Sequence, residues 1–433
     1  MAKLQFFFIL RKVFPHDYLQ KCNKMRFYVF IIDKRHKMKK LMIAALLLMT
    51  VAAMCQDNSR KGNQETKTLG EKQNTADSSI RIIFCGDLMG HDSQIETAKT
   101  SEGYDYAPCF QFIEGYLKGA DLAIANLELT LAGPPYKGYP HFCSPDQLLK
   151  DAHQAGFSLF TTCNNHCVDR GKNGLLRTLQ IFDSLNIPHL GTYRNEEERQ
   201  SNYPLIMDVK GFKLAFLTYT YGTNGISIPE PTVVNMIDTA IIKADLEEAQ
   251  ARGAEYVIAM VHWGSEYQTT ANSRQKGLAE FLLNHGADIV IGGHPHVVQN
   301  ATMDALPNND KSPEIVVYSM GNLISNIRKI NADGGIMIEL ELKREKEGIA
   351  QDCWYMPYWV RKGQFNGLYQ FYILPSYDAR QHPEKYQLTE DDIRLLTTFD
   401  NNTHLRLQGQ LKECSYQWER DIDSCSVHYS PAR

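Results

Sequence analysis

Five short motifs in this 433-residue chain carry side chains able to hold a divalent cation. They are Asp87 in Phe84-Cys85-Gly86-Asp87-Leu88-Met89, Glu128 in Asn126-Leu127-Glu128, Asn165 and His166 in Asn164-Asn165-His166, His262 in His262-Trp263-Gly264, and His294 and His296 in Gly292-Gly293-His294-Pro295-His296. Carboxylate, amide oxygen and imidazole together suit borderline metals such as Mn, Fe or Zn. Each motif alone also reads as ordinary structure: a hydrogen-bonded histidine at a strand end, an Asx turn at Asn-Asn-His, a plain loop at Gly-Gly-His-Pro-His. Their succession, each after an apolar run, points to one cleft.

The elements that would position them alternate. Strands are predicted over 81–85, 122–126, 158–162, 256–262, 289–291 and 315–318, and helices over 109–117, 146–155, 174–185, 239–252 and 274–284. Gly156, Gly253 and Gly286 stand where three of these helices should stop. Segments 203–208 and 213–219 flank Lys210-Gly211 as a hairpin, and 335–342 alternates like a half-exposed strand. The pattern predicts an α/β domain with mixed sheets over 80–346. Open α/β sheets bind ligands beyond the carboxyl ends of their strands, where all five motifs fall. Residues 347–433, rich in Tyr, Trp and turns, are set apart as a C-terminal accessory region with a helix over 390–398.

Composition restricts the partners. With 46 basic and 50 acidic residues the formal net charge is -4, so no basic excess points to nucleic acid. The apolar run 41–54 follows Met38-Lys39-Lys40 and is shorter than a bilayer span, so 38–55 reads as an export signal rather than a buried core helix. Residues 1–37 then form an N-terminal extension, explained by a misplaced start or by a second membrane-proximal element. Cys55 is the candidate lipidation site, although Met54 stands where a lipobox has a small residue; cleavage after Ala53 is the rival. The polar stretch 56–79 reads as a flexible tether. Of the 10 cysteines, Cys414 and Cys425 could pair, whereas Cys163 and Cys167 read as buried thiols rather than a zinc site.

Six segments now carry a family resemblance: Gly86-Asp87-Leu88-Met89, Asn126-Leu127-Glu128, Asn164-Asn165-His166 with Asp169 and Gly171, His262-Trp263-Gly264-Ser265-Glu266-Tyr267, Gly293-His294-Pro295-His296-Val297-Val298-Gln299, and Ser319-Met320-Gly321-Asn322. In this order they resemble the CapA family of capsule-synthesis, or poly-γ-glutamate synthesis, proteins within the calcineurin-like metallophosphoesterase superfamily. The resemblance implies a four-layer α-β-β-α sandwich with a metal cleft at one edge. It implies that Asp87, Glu128, Asn165, His262, His294 and His296 hold one or two ions of Mn, Fe or Zn, with Glu128 bridging. His166 becomes the general acid. Asp169 either orients it or is a helix N-terminal acid. Asn126, Glu266 and Asn322 become substrate contacts or supports, Glu266 being equally a surface charge.

Two departures stand out. Where the superfamily has Asp-x-His, this chain has Met89, and a thioether does not replace imidazole for such an ion; His91 is either the substitute imidazole or a loop histidine. Leu323 replaces a common Phe. The implied function is a cell-envelope protein of capsule or exopolymer biosynthesis or attachment with a metal-dependent phosphoesterase-like site. Its partners would be an anionic envelope polymer or a phosphoester, and the membrane through a lipid anchor. The alternative is a membrane-anchored assembly factor that binds polymer without turnover.

Overall fold

Period-two alternation decides which face of each strand meets which layer. In the computed structural model, which describes residues 79–304, 314–346 and 348–414, Ile80, Ile82 and Phe84 enter one core while Ile83 and Cys85 enter another. The expected leader 38–55 with Cys55, nearly all of the tether 56–79, and Cys425 lie outside the described residues.

One sheet of nine strands runs β16 (Leu368–Pro375), β15 (Gly348–Phe365), β14 (Gly334–Glu345), β1 (Ser79–Leu88), β2 (Leu122–Leu127), β3 (Leu159–Thr161), β4 (His189–Leu190). Off this path, β13 (Asn322–Ile324) pairs with β1 and β17 (Lys412–Glu413) with β15. A six-stranded sheet runs β11 (Ala301–Asp304), β12 (Glu314–Val317), β10 (Ile289–Gly293), β9 (Tyr256–His262), β7 (Phe212–Thr220), β6 (Leu205–Val209). A ribbon pairs β5 (Thr192–Tyr193) with β8 (Val233–Val234).

The two large sheets face each other. Ile82, Ile124, Ile338 and Leu340 of the first share a core with Leu214, Phe216, Ile258 and Val290 of the second. The helices Thr239–Ala251 and Ser273–Asn284 add Ile242, Leu246 and Leu282 to it. On the other face of the first sheet, Ile83, Ala123, Ala125 and Met337 meet Tyr116, Leu148, Leu149 and Phe182 from helices. Each fully buried Ile, Leu or Phe contributes about 1.5–3 kcal/mol. The layers are therefore α-β-β-α, as the resemblance implied. No helix among the described residues is long and apolar enough to cross a membrane.

Local signals account for most boundaries. Lys210 and Gly211 have φ of 51° and 89°, the left-handed pair that closes a two-residue hairpin between β6 and β7. The predicted helix 109–117 is instead two short helices, Ala107–Phe110 and Glu114–Lys118, joined by a turn. That turn sends Phe112 to Phe365 and Tyr386 at 5.0 and 4.9 Å, whereas Phe110 and Ile113 enter the outer core. Aromatic packing outweighs helical continuity here.

The segment set apart as accessory is continuous with the first sheet. β15 pairs with β14 from Gly348 to Trp359, so the expected boundary at 346/347 falls between two strands of one antiparallel ladder. The helix Glu390–Leu407 packs Leu396, Phe399 and Leu407 on this end of the core. Near its carboxyl end the His404 ring donates from both nitrogens, to the Asp400 carbonyl at 2.7 Å and to Glu413 Oε2 at 2.6 Å. The Glu413 carboxylate, with Asp400 adding to it against partial burial, pushes this imidazole up to about 9. A raised folded-state value contributes stability below the ordinary imidazole value of about 6.5 and loses it as pH rises through about 9. Urea midpoints measured from pH 6 to 10 are thus expected to fall more steeply for the wild type than for His404→Gln; parallel curves would remove this assignment.

Candidate metal centre

Parallel pairing brings the strand ends into register. Asp87 of β1 stands beside both Asn126 of β2 and Asn322 of β13, while His262 of β9 stands beside Gly293 of β10 and Thr220 of β7. Loops then carry Glu128, Asn164–His166, and His294 to His296 into the same space. Gly86 has no room for a side chain, because a Cβ would sit 1.9 Å from the Gly321 carbonyl oxygen. That close approach of β1 to the Gly321 turn fixes Asp87 beside Asn322. His294 and His296 occupy φ of 94° and 58°, strained positions that cost about 1–3 kcal/mol each. The backbone N–H of His294, donating to Asp87 Oδ2 at 3.2 Å, helps hold this turn.

Two groups of ligand atoms result, each within 4.8 Å: Glu128, His262 and His294, and Asp87, Glu128 and His296. Glu128 belongs to both. Its Oε1 lies 3.4 Å from His262 Nε2 and 4.0 Å from His296 Nε2. Asn165 Oδ1 joins the first group, 2.7 Å from His262 Nε2. Asp87 Oδ2 lies 3.5 Å from His296 Nδ1, and Asp87 Oδ1 accepts from Asn126 Nδ2 at 2.8 Å.

The electrostatics are those of a site built around positive charge. Glu128 is wholly buried, and among the described residues neither carboxylate oxygen has a hydrogen-bond partner; His294 Nδ1 is likewise buried and unpartnered there. Such groups cost several kcal/mol when left alone. Burial, reinforced by the neighbouring Asp87 charge, pushes Glu128 well above the carboxylate range. Burial also acts on Asp87, but His296, His262 and Asn126 outweigh it and hold that carboxyl well below the usual range. Burial lowers His262 to about 4, and burial beside His262 and His296 lowers His294 to about 2. Glu128 and Asp87 raise His296 against its burial. A divalent cation between these groups satisfies the orphaned Glu128 oxygens and His294 Nδ1 together, so the residues present fit one.

Other expected site residues take different places. His166 Nδ1 lies 2.7 Å from Asp169 Oδ2, and that oxygen also accepts the Phe142 N–H at 2.7 Å. Asp169 thus contacts the His166 ring directly. Asn126 ties Asp87 to Thr161 and Asn164, and Asn322 holds the His296 ring, its Oδ1 2.9 Å from Nδ1. Both amides are buried or half-buried among protein partners. Glu266 is exposed at the rim. His91 caps the helix Asp92–Thr97, with Nδ1 3.0 Å from Gln94 Oε1 and 3.2 Å from the Asn326 N–H, and belongs to neither ligand group. Met89 turns into the outer core, 2% exposed. Cys163 and Cys167 are buried free thiols.

Sequence reading missed three contributors. Tyr221, immediately beyond β7, is 43% exposed and lays its ring 4.5 Å from His294. Burial, with the charges of Glu128 and Glu266, pushes its phenol up to about 12. Asn224 Oδ1 accepts from Asn165 Nδ2 at 3.2 Å, and the Phe142 ring meets His166 edge-on at 4.6 Å. The strand-end rule applied to β7 would have found Tyr221; nothing in the spacing marks the other two.

Comparison with known proteins agrees in family. The model of the bacterial capsule synthesis protein family PGA_cap matches residues 81–327. The capsule biosynthesis protein CapA of Bacillus anthracis is 25% identical over 307 residues, covering 68% of this chain and 71% of that protein. The PGA biosynthesis protein CapA of Bacillus subtilis (strain 168) is 26% identical over 283 residues, covering 63% and 70%. Among solved structures, the NAD nucleotidase NadN of Haemophilus influenzae shares 16% identity at a TM-score of 0.44, covering 78% of this chain and 65% of that one.

Proposed function

Because the chain belongs to the bacterial capsule synthesis protein family, we propose that it serves capsule or exopolymer biosynthesis at the cell envelope as a metal-dependent hydrolase of the phosphoesterase type. The observation that carries the reading is Glu128, buried with both oxygens unpartnered between two sets of ligand atoms. Asp87, Glu128 and His296 would hold one ion, and Glu128, Asn165, His262 and His294 a second; Mn, Fe and Zn all suit this donor set. When bound, such ions supply Lewis acidity toward phosphoryl oxygens and lower the pKa of water.

The chain's own residues do the rest. Asp169 fixes the Nδ1 side and the orientation of the His166 ring, leaving Nε2 to deliver a proton to the leaving oxygen. Asn322 fixes His296, and Asn224 fixes the Asn165 amide so that its oxygen faces His262. Supports of this kind keep ligands in the binding geometry. Export through 38–55 and acylation at Cys55 would place the domain at the membrane surface, next to an anionic polymer.

The test is hydrolysis of a chromogenic phosphodiester by the Mn-loaded chain. Turnover that falls on His294→Ala supports the reading; ion-loaded protein without turnover ends it. The second reading, polymer binding without turnover, is favoured by one observation: Met89 packs in the core where the superfamily pattern has a ligand. Full rescue of a capsule-deficient strain by the double variant His166→Ala, His294→Ala would select it.

A further inference from the structure

The mouth of the cleft carries an exposed ammonium, Lys329, that makes no ion pair among the described residues, resting on Tyr267, which also interacts with the rim carboxylate Glu266. Lys329 is exposed, and its ammonium sits 3.5 Å from the centre of the Tyr267 ring. No carboxylate among the described residues lies within 4.0 Å of it, whereas the adjacent Arg328 donates to the carbonyls of Val360 and Ser325 at 2.9 and 2.7 Å. Arg328 therefore holds the loop and Lys329 does not.

Both partners are fixed to the candidate metal centre. Tyr267 occupies a φ of 65°, a left-handed position for a bulky residue, and its N–H donates to the Pro295 carbonyl at 2.8 Å, between His294 and His296. Its ring centre is 6.1 Å from that of His296. The Lys329 loop closes on itself through the Ala332 N–H to the Lys329 carbonyl at 3.0 Å. Asn322 Nδ2 then donates both to the Ala332 carbonyl at 2.9 Å and to the His296 carbonyl at 3.2 Å. One amide thus anchors the Lys329 loop and His296 together. An ammonium resting on an aromatic face loses mobility but keeps donors for an anion, and backbone strain is retained where a surrounding structure has a use for it.

We propose that Lys329, held over Tyr267, seats a second anionic group of the substrate beside the group engaged at the candidate metal centre. The inference rests on the proposed function and names a residue that would select a substrate bearing a second anionic group over a phosphoester of a neutral alcohol. Lys329 is a specificity-determining residue in this arrangement and takes no part in bond breaking.

Non-hydrolysable probes separate this from turnover. Titration calorimetry of the Mn-loaded chain with 4-phosphonobutyrate and with butylphosphonate compares two ligands that differ by one carboxylate. The wild type is expected to prefer the first by roughly tenfold, the value of one charge-assisted hydrogen bond. Lys329→Met should abolish the preference while leaving butylphosphonate binding unchanged, and Lys329→Arg should keep it. Equal affinities in the wild type, absence of binding by either probe, or a preference that survives in Lys329→Met would each overturn the proposal. A preserved preference in a chain that hydrolyses nothing would remove the hydrolase reading and leave the Lys329 seat standing.

Discussion

Glu128→Gln is expected to do two opposite things: abolish the stabilisation of the chain by divalent ions and raise the stability of the ion-free chain. In the ion-free state Glu128 is buried, unpartnered at both oxygens, and close to the Asp87 carboxylate. The raised carboxyl must either be desolvated as an anion or be protonated above its ordinary range, and a neutral amide relieves that cost of about 1–3 kcal/mol. In the ion-loaded state the same change removes the one group common to both ligand sets. An ion at a hundred times its dissociation constant stabilises a protein by about 2.7 kcal/mol, and this increment is expected to disappear. Thermal unfolding with and without Mn measures both effects. A variant that keeps the ion-dependent increment, or that unfolds earlier without ions, would show that Glu128 is only a misplaced core carboxylate.

His166→Gln should separate proton transfer from ion binding. The ring is fixed by Asp169 at 2.7 Å and by the Phe142 edge at 4.6 Å, and it belongs to neither group of ligand atoms. Loss of a general acid costs roughly a hundredfold to ten-thousandfold in kcat. KM and ion content should stay close to wild type, since an interaction made only in the transition state is removed. Asp169→Asn is expected to cost stability as well as rate, because the Asp169 carboxylate also accepts the Phe142 N–H. If His166→Gln lost its ions along with its activity, the imidazole would belong to the ligand set instead.

Much of the site could be read without a structure because its residues sit where periodicity changes. Asp87, Asn126 and His262 stand at or one residue before the carboxyl ends of apolar strands, and parallel register does the rest: Asp87, Asn126 and Asn322 become neighbours simply because β1, β2 and β13 align. Roles were harder to read than positions. Asn322, read as a substrate contact or a support, holds the His296 ring, and His91, read as a substitute ligand or a loop histidine, stands at the N-cap of a short helix. Side chains from loops between the motifs, Asn224 and Phe142 among them, carry no signal in spacing at all.

The least legible part of the fold was β15. Pro357 stands in its middle and removes a ladder donor, which normally argues against an inner strand; here it pairs with Ile336 of β14. Tyr355, Trp359 and Tyr372 supply enough buried aromatic surface in the shared core to outweigh that loss. A Tyr- and Trp-rich region read as accessory thus supplies three strands of the sheet that carries Asp87.

The most direct measurement is the ion content of the purified chain after loading with Mn or Zn and removal of excess. Two ions per chain are expected, because Glu128 completes two sets of ligand atoms even with Met89 turned away into the core. The ion at Asp87, Glu128 and His296, with the smaller donor set, should leave first on dilution. One ion per chain, or none, at saturating metal would contradict a Glu128-bridged pair and leave the cleft as a polar seat for polymer.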